Sequence, residues 1–119
     1  MPFTIDETTL LIKGRKGDSA SFTFDFNQDM SAYNIEFFVK KNPSSTTAII
    51  EKIYENPSTE AVTVELLPAE TDLLTSKPNS YETYYWGLVV SIGTTFRQTV
   101  IPTLFNTAPQ MYIYPEIGD

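Results

Sequence analysis

The chain predicts an all-β protein, an immunoglobulin-like antiparallel β-sandwich of about seven to eight strands. Three observations predict it. Apolar residues recur with period two through most of the chain, as they do where one face of a strand is buried. Clusters of Gly, Pro, Asn and Ser interrupt these runs at short intervals, and no amphipathic helix of ordinary length occurs. Hydrophobic residues make up 41% of 119 residues, enough to fill one core, and no linker or composition break divides the chain. The expected organisation is one domain over 1–119, with 1–8 and 107–119 as extended end segments.

The elements follow in order. Over 19–26, Ala20, Phe22, Phe24 and Phe26 share one face, while Ser19, Ser21, Thr23 and Asp25 share the other. Ile35, Phe37 and Val39 then point inward, with Asn34, Glu36 and Lys40 outward. Asn42-Pro43-Ser44-Ser45 makes a turn. The next strand has two readings, because Ile49 and Ile53 lie opposite Ile50 and Tyr54. After the break at Asn56-Pro57-Ser58, clean alternation returns at Val62, Val64 and Leu66.

Pro68 suits a first helical turn near 68–74, where Glu70 and Asp72 place negative charge close to its N-terminus. Leu73 and Leu74 are expected to fold back onto the sheet. Such a turn persists only by packing. From Tyr81 the chain extends again, and Tyr84, Trp86, Leu88, Val90 and Ile92 share a face. Gly93-Thr94 makes a tight turn into a hairpin partner over 94–105, with Phe96 or Val100 as core residues and Pro102 marking a bend or an edge. One more short strand follows Ala108-Pro109. The turn over 67–74 is expected to close one end of the sandwich and cross between sheets, with Trp86 filling the interior.

Composition narrows function. Asp and Glu number 15 against 8 Lys and Arg, a net charge of −7, which repels a phosphate backbone, so no nucleic-acid partner is expected. The one basic cluster, Lys13, Arg15 and Lys16, reads as a solvated loop between strands. Cysteine and histidine are both absent, which excludes thiolate chemistry and every site built on imidazole. No apolar run approaches membrane-spanning length, and the first residues lack the pattern of a secretory signal. No cofactor, membrane partner or catalytic residue is expected.

Three constellations offer chemistry. Asp25, Asn27, Asp29, Ser31, Tyr33 and Glu36 fall at the ligand positions of an EF-hand calcium loop. Met30 stands where that loop needs glycine, and both flanks alternate like strands, so a polar hairpin loop without metal is expected. Glu65, Glu70 and Asp72 cluster in sequence as a glycosidase carboxylate pair would, but a helix start explains Glu70 and Asp72 more simply. Tyr81, Tyr84, Tyr85 and Trp86 suggest a sugar-stacking platform, although alternation sends Tyr84 and Trp86 to the core. Tyr85, Phe38, Tyr112 and Tyr114 remain as a candidate exposed aromatic surface.

The order of these features, with Leu67-Pro68-Ala69-Glu70-Thr71-Asp72-Leu73-Leu74 as its most specific stretch, resembles small β-sandwich modules in structural proteins of tailed bacteriophages and prophages. The similarity is to the N-terminal domain type of upper-baseplate proteins and spans about Leu10 to Leu104. Asn79-Ser80 stands where those modules usually have glycine before the Tyr-rich strand. The resemblance implies a non-enzymatic virion component of baseplate, tail or head, assembled in the host cytoplasm. Its partners would be other virion proteins or copies of itself, in a homo-oligomer. Phe3, Ile5, Tyr112 and Tyr114, apolar residues of the two end segments, are the expected interface, laid along a neighbouring subunit or added to its sheet edge. A carbohydrate-binding module using the surface aromatics is the alternative.

Overall fold

A computed structural model describes residues 3–6, 8–75, 78–101 and 108–115. Among them run strands β1 (Thr4–Ile5), β2 (Ile12–Arg15), β3 (Ala20–Asp25), β4 (Asn34–Lys40), β5 (Ile50–Glu55) and β6 (Ala61–Leu66). A single helical turn, α1 (Pro68–Thr71), leads to β7 (Glu82–Ile92), β8 (Phe96–Ile101) and β9 (Gln110–Tyr114). Seven strands form one sheet in the order β1-β2-β9-β7-β4-β5, with β8 also paired to β7. The other sheet is β3-β6. The molecule is the all-β sandwich that the alternation predicts, and every described pair except β2–β9 is antiparallel.

The 11-residue β7 organises the larger sheet. Along one edge it pairs with β4 from Tyr85 to Ser91. Its other edge is divided, β9 taking Glu82 to Tyr85 and β8 taking Leu88 to Ile92. Between the two partners the Trp86 N–H donates to the Pro109 carbonyl at 3.1 Å. This strand supplies Tyr84, Trp86, Leu88 and Val90 to the interior, where Ile35, Phe37, Val39, Val62, Val64 and Leu66 meet them.

Aromatic rings run through that interior as one ladder. Phe3 meets Phe22 edge-on at 6.4 Å, Phe22 stacks on Phe37 at 6.3 Å, and Trp86 lies 5.7 Å from Phe37 and 5.9 Å from Phe24. Such pairs add to the burial of their own area. The indole N–H donates to the Leu10 carbonyl at 3.0 Å, so the buried ring leaves no donor unpaired. Phe3 lies directly on Gly14, where a Cβ would fall 2.3 Å from the ring. Only glycine allows that approach.

α1 joins the two sheets. Leu67 has no side-chain acceptor, so only half of a capping box forms, the Glu70 carboxylate accepting the Leu67 N–H at 2.8 Å. Lys52 bridges both Glu70 oxygens at 3.0 and 2.9 Å, and the buried Thr71 hydroxyl donates to the Asp18 carbonyl at 2.7 Å. Burial pushes the Glu70 carboxyl up, but the Leu67 N–H and Lys52 outweigh it and hold it below the usual range. Its stabilising contribution is therefore present above the unfolded value and fades as pH falls through the lower, folded one. Leu74 is fully buried, as expected, whereas Leu73 is 60% exposed.

The structure corrects several expectations. Phe24 and Phe26 are only partly buried, because they line an open groove shared with Ile5, Leu10 and Val100. Phe96 and Ile92 are exposed at the tip of the β7–β8 hairpin, whereas Val100 packs against the core. Ile50 resolves the ambiguous strand by entering the core, leaving Ile53 outside. The segment after β3 is no hairpin loop, since β3 and β4 lie in different sheets. Lys13 and Arg15 stand on β2, not in a loop. Within the end segments, the described Thr4–Ile5 and Gln110–Tyr114 are sheet strands and not free arms, with Met111 and Ile113 fully buried. Pro102 lies outside the described residues.

Two outcomes follow from this packing. Trp86→Ala should cost about 3–5 kcal/mol, read from urea unfolding, as large-to-small changes in a filled core do. Deleting 110–119 removes the strand between β2 and β7, so the β signature in circular dichroism should collapse. A truncated chain that keeps its spectrum and its cooperative melt would contradict this topology.

Candidate interaction surface

The face of the seven-stranded sheet turned away from β3 and β6 carries the residues that alternate with the core. Register fixes their rows. Thr83, Tyr112 and Lys13 lie side by side across β7, β9 and β2, and Tyr114 sits beside Arg15 in the next row. Toward the other end, Tyr85 lies between Lys40 and Gln110, Gly87 between Phe38 and the β8 edge, and Val89 beside Glu36. The Phe38 ring covers Gly87, where a Cβ would fall 2.4 Å from it. Lys40 in turn holds its ammonium 4.9 Å above Phe38.

At one corner the tyrosines cluster. Tyr81 stacks on Tyr112 with ring centroids 4.0 Å apart and lies 5.4 Å from Tyr114. The Arg15 guanidinium sits 5.8 Å over the Tyr114 ring and donates to the Pro115 carbonyl at 3.0 Å. Tyr112 donates its hydroxyl to Gln110 at 3.0 Å, and desolvation together with neighbouring Tyr81 raises the pKa of its phenol. A shallow depression of about 470 Å³ opens between Arg15, Tyr81, Tyr114 and Pro115.

The opposite corner is acidic. Glu36 on β4 and Glu51 on β5 are diagonal neighbours across the strand pair, and Glu55 lies farther along β5. A hydrogen bond from Glu36 to Glu51, with burial behind it, raises the Glu36 carboxyl to about 6, while Arg97 and Lys40 pull the other way. Ile53, 56% exposed, stands between Glu51 and Glu55.

The four expected interface residues therefore divide. Phe3 is a core residue, 7% exposed and wedged between Gly14 and Phe22. Ile5 is half-buried and lines an apolar groove of about 390 Å³ with Leu10, Phe24 and Val100. Tyr112 and Tyr114 stand half-buried on the outer face, together with Tyr85 and Phe38. Tyr81 joins them there, as alternation predicts. The acidic corner escaped sequence reading, because Glu36 and Glu51 are brought together only by the β4–β5 register.

The remaining sequence candidates have structural partners. Asp25 and Asp29 accept the N–H groups of Asn27 and Ser31 in local turns at 2.9 Å each, Met30 is buried in the core, and Glu36 faces Glu51. Among the described residues, no group of three acidic side chains converges in a metal-binding arrangement. Glu70 caps α1, Asp72 pairs with Lys16 at 2.9 Å, and Glu65 is exposed on β6.

The Glu36–Glu51 pair makes a pH dependence. Because the folded value is raised, the stabilisation is fully present below the unfolded value near 4.5 and is lost as pH rises through about 6. Glu36→Gln should therefore raise the thermal midpoint at pH 7.5 and leave it unchanged at pH 4. Solvent screening of this half-exposed pair holds the gain to about 1 kcal/mol or less. Equal shifts at both pH values would show that the Glu36 carboxyl is not raised in the folded protein.

Comparison of the chain with protein-family models, with curated proteins and with solved structures finds no match.

Proposed function

We propose that this protein is a non-enzymatic structural component of a tailed-phage virion, working by docking onto other virion proteins and onto copies of itself. The observation that carries the reading is the outer face of the larger sheet. It is broad and presents Tyr81, Tyr85, Tyr112, Tyr114 and Phe38 in adjacent rows between charged corners. Tyrosine and arginine spread over a broad sheet face suit a macromolecular partner. The resemblance of the 67–74 turn and the Tyr-rich strand to baseplate modules supplies the particle, and with it assembly in the host cytoplasm.

A carbohydrate-binding reading draws on the depression beside Arg15, Tyr81 and Tyr114, where aromatic rings and polar groups meet. The stack of Tyr81 on Tyr112 occupies one ring face that a sugar would use. A direct comparison separates the two. Immobilised protein is offered a panel of recombinant phage baseplate, tail and head proteins, and in parallel a glycan array. Capture of a virion protein that Tyr112→Ala weakens about tenfold or more supports docking, since buried aromatics carry much of an interface. Specific glycan binding with no virion partner overturns it.

A further inference from the structure

The outer face carries opposite charge on its two lateral sides. Lys13 and Arg15 on β2 mark one side, Glu51 and Glu55 on β5 the other, and Lys40 and Arg97 stand between them beside Glu36. Counting rows along β7 and strands across the sheet, the corners stand roughly 25 Å apart. That is about three Debye lengths at physiological salt, so neither corner neutralises the other within one molecule. A chain of net charge −7 that still gathers Lys13 and Arg15 on one tyrosine-rich corner has made a local exception to its own field.

We propose that this face stacks on the same face of a second copy of the chain, each basic corner seated on the partner's acidic corner. The inference rests on the docking reading above and names its partner. A two-fold axis lying between the stacked sheets and crossing the line that joins the corners brings both contacts together at once. An isologous interface requires this self-complementarity. Tyr112 and Tyr85 then fill the space between the charges, and the exposed Ile53 becomes covered. The molecule measures 44 by 27 Å across its two longest axes, room enough for the roughly 800 Å² per partner of a standard interface. Stacked sheets lie about 10 Å apart, a gap that tyrosine and lysine side chains span.

Charge exchange tests this on the full chain. Sedimentation velocity of the wild type should show a dimer that weakens between about 50 and 500 mM NaCl, since its contacts are ionic. Lys13→Glu and Glu51→Lys, both at exposed positions, should each weaken dimerisation about tenfold or more, because each sets like charges together at both contacts. Mixing the two variants should restore it, since a mixed dimer meets Glu with Lys at one contact and Lys with Glu at the other. Circular-dichroism melts of each variant confirm folding, and the salt dependence of the wild type stands if either variant unfolds. A dimer indifferent to salt and to both exchanges, or two weakened variants that do not recover on mixing, overturns the face pairing and leaves self-assembly through another surface. A strict monomer that still captures a virion protein overturns the pairing alone. A strict monomer that captures none removes both readings.

Discussion

The indole of Trp86 is the contact on which the rest of the sandwich depends. Its ring packs against Phe37, its neighbour on the same sheet, and against Phe24 of the facing sheet, so it fills the space between the two layers. Its side-chain N–H reaches the Leu10 carbonyl in the β1–β2 turn, and its backbone N–H reaches Pro109 just before β9. One residue near the middle of β7 thus holds segments from both ends of the chain. Leu10 takes a left-handed backbone, φ 63°, to present that carbonyl, and its N–H is held by the Asp6 carbonyl at 2.7 Å. The conformation is unfavourable for leucine and persists because its surroundings fix it.

Much of this architecture was legible in the sequence. Period two identified the inner faces of β3, β4, β6 and β7, and Pro68 with its acidic followers identified α1. Pairing was not legible. Nothing local distinguishes a terminal strand that lies along a neighbour from one inserted between β2 and β7, since both need the alternation of Met111 and Ile113 with tyrosines. Phe3 misled for a related reason, because its burial depends on the absent side chain of Gly14, 11 residues away in sequence. The phenylalanines of β3 show the other limit. Their alternation is real, but the groove left open between the sheets decides how deeply each is buried.

The surface was legible in part. Tyr112 and Tyr114 were identified as outward aromatics, and Tyr81 follows from the same alternation. The separation of charge was hidden, because Lys13 and Arg15 are close in sequence to Lys16 but belong to a different environment once β2 forms. Lys16 turns toward Asp72 at the α1 end, while Arg15 turns toward Tyr114. Glu36 and Glu51 are likewise 15 residues apart in the chain and neighbours on the sheet. Charge patterns on a sheet are properties of register, and composition averages them away.

The parallel pairing of β2 with β9 imposes an order on synthesis. β2 leaves the ribosome about a hundred residues before its inner partner exists, and until then one side of β2 and the first half of β7 are bare edges. A nascent chain in that condition is a template for strand exchange with its neighbours on the same message. Closing so long a loop is slow relative to local hairpins such as β7–β8. Among the described strands β9 emerges last, and its insertion closes the facing edges of β2 and β7 in one step.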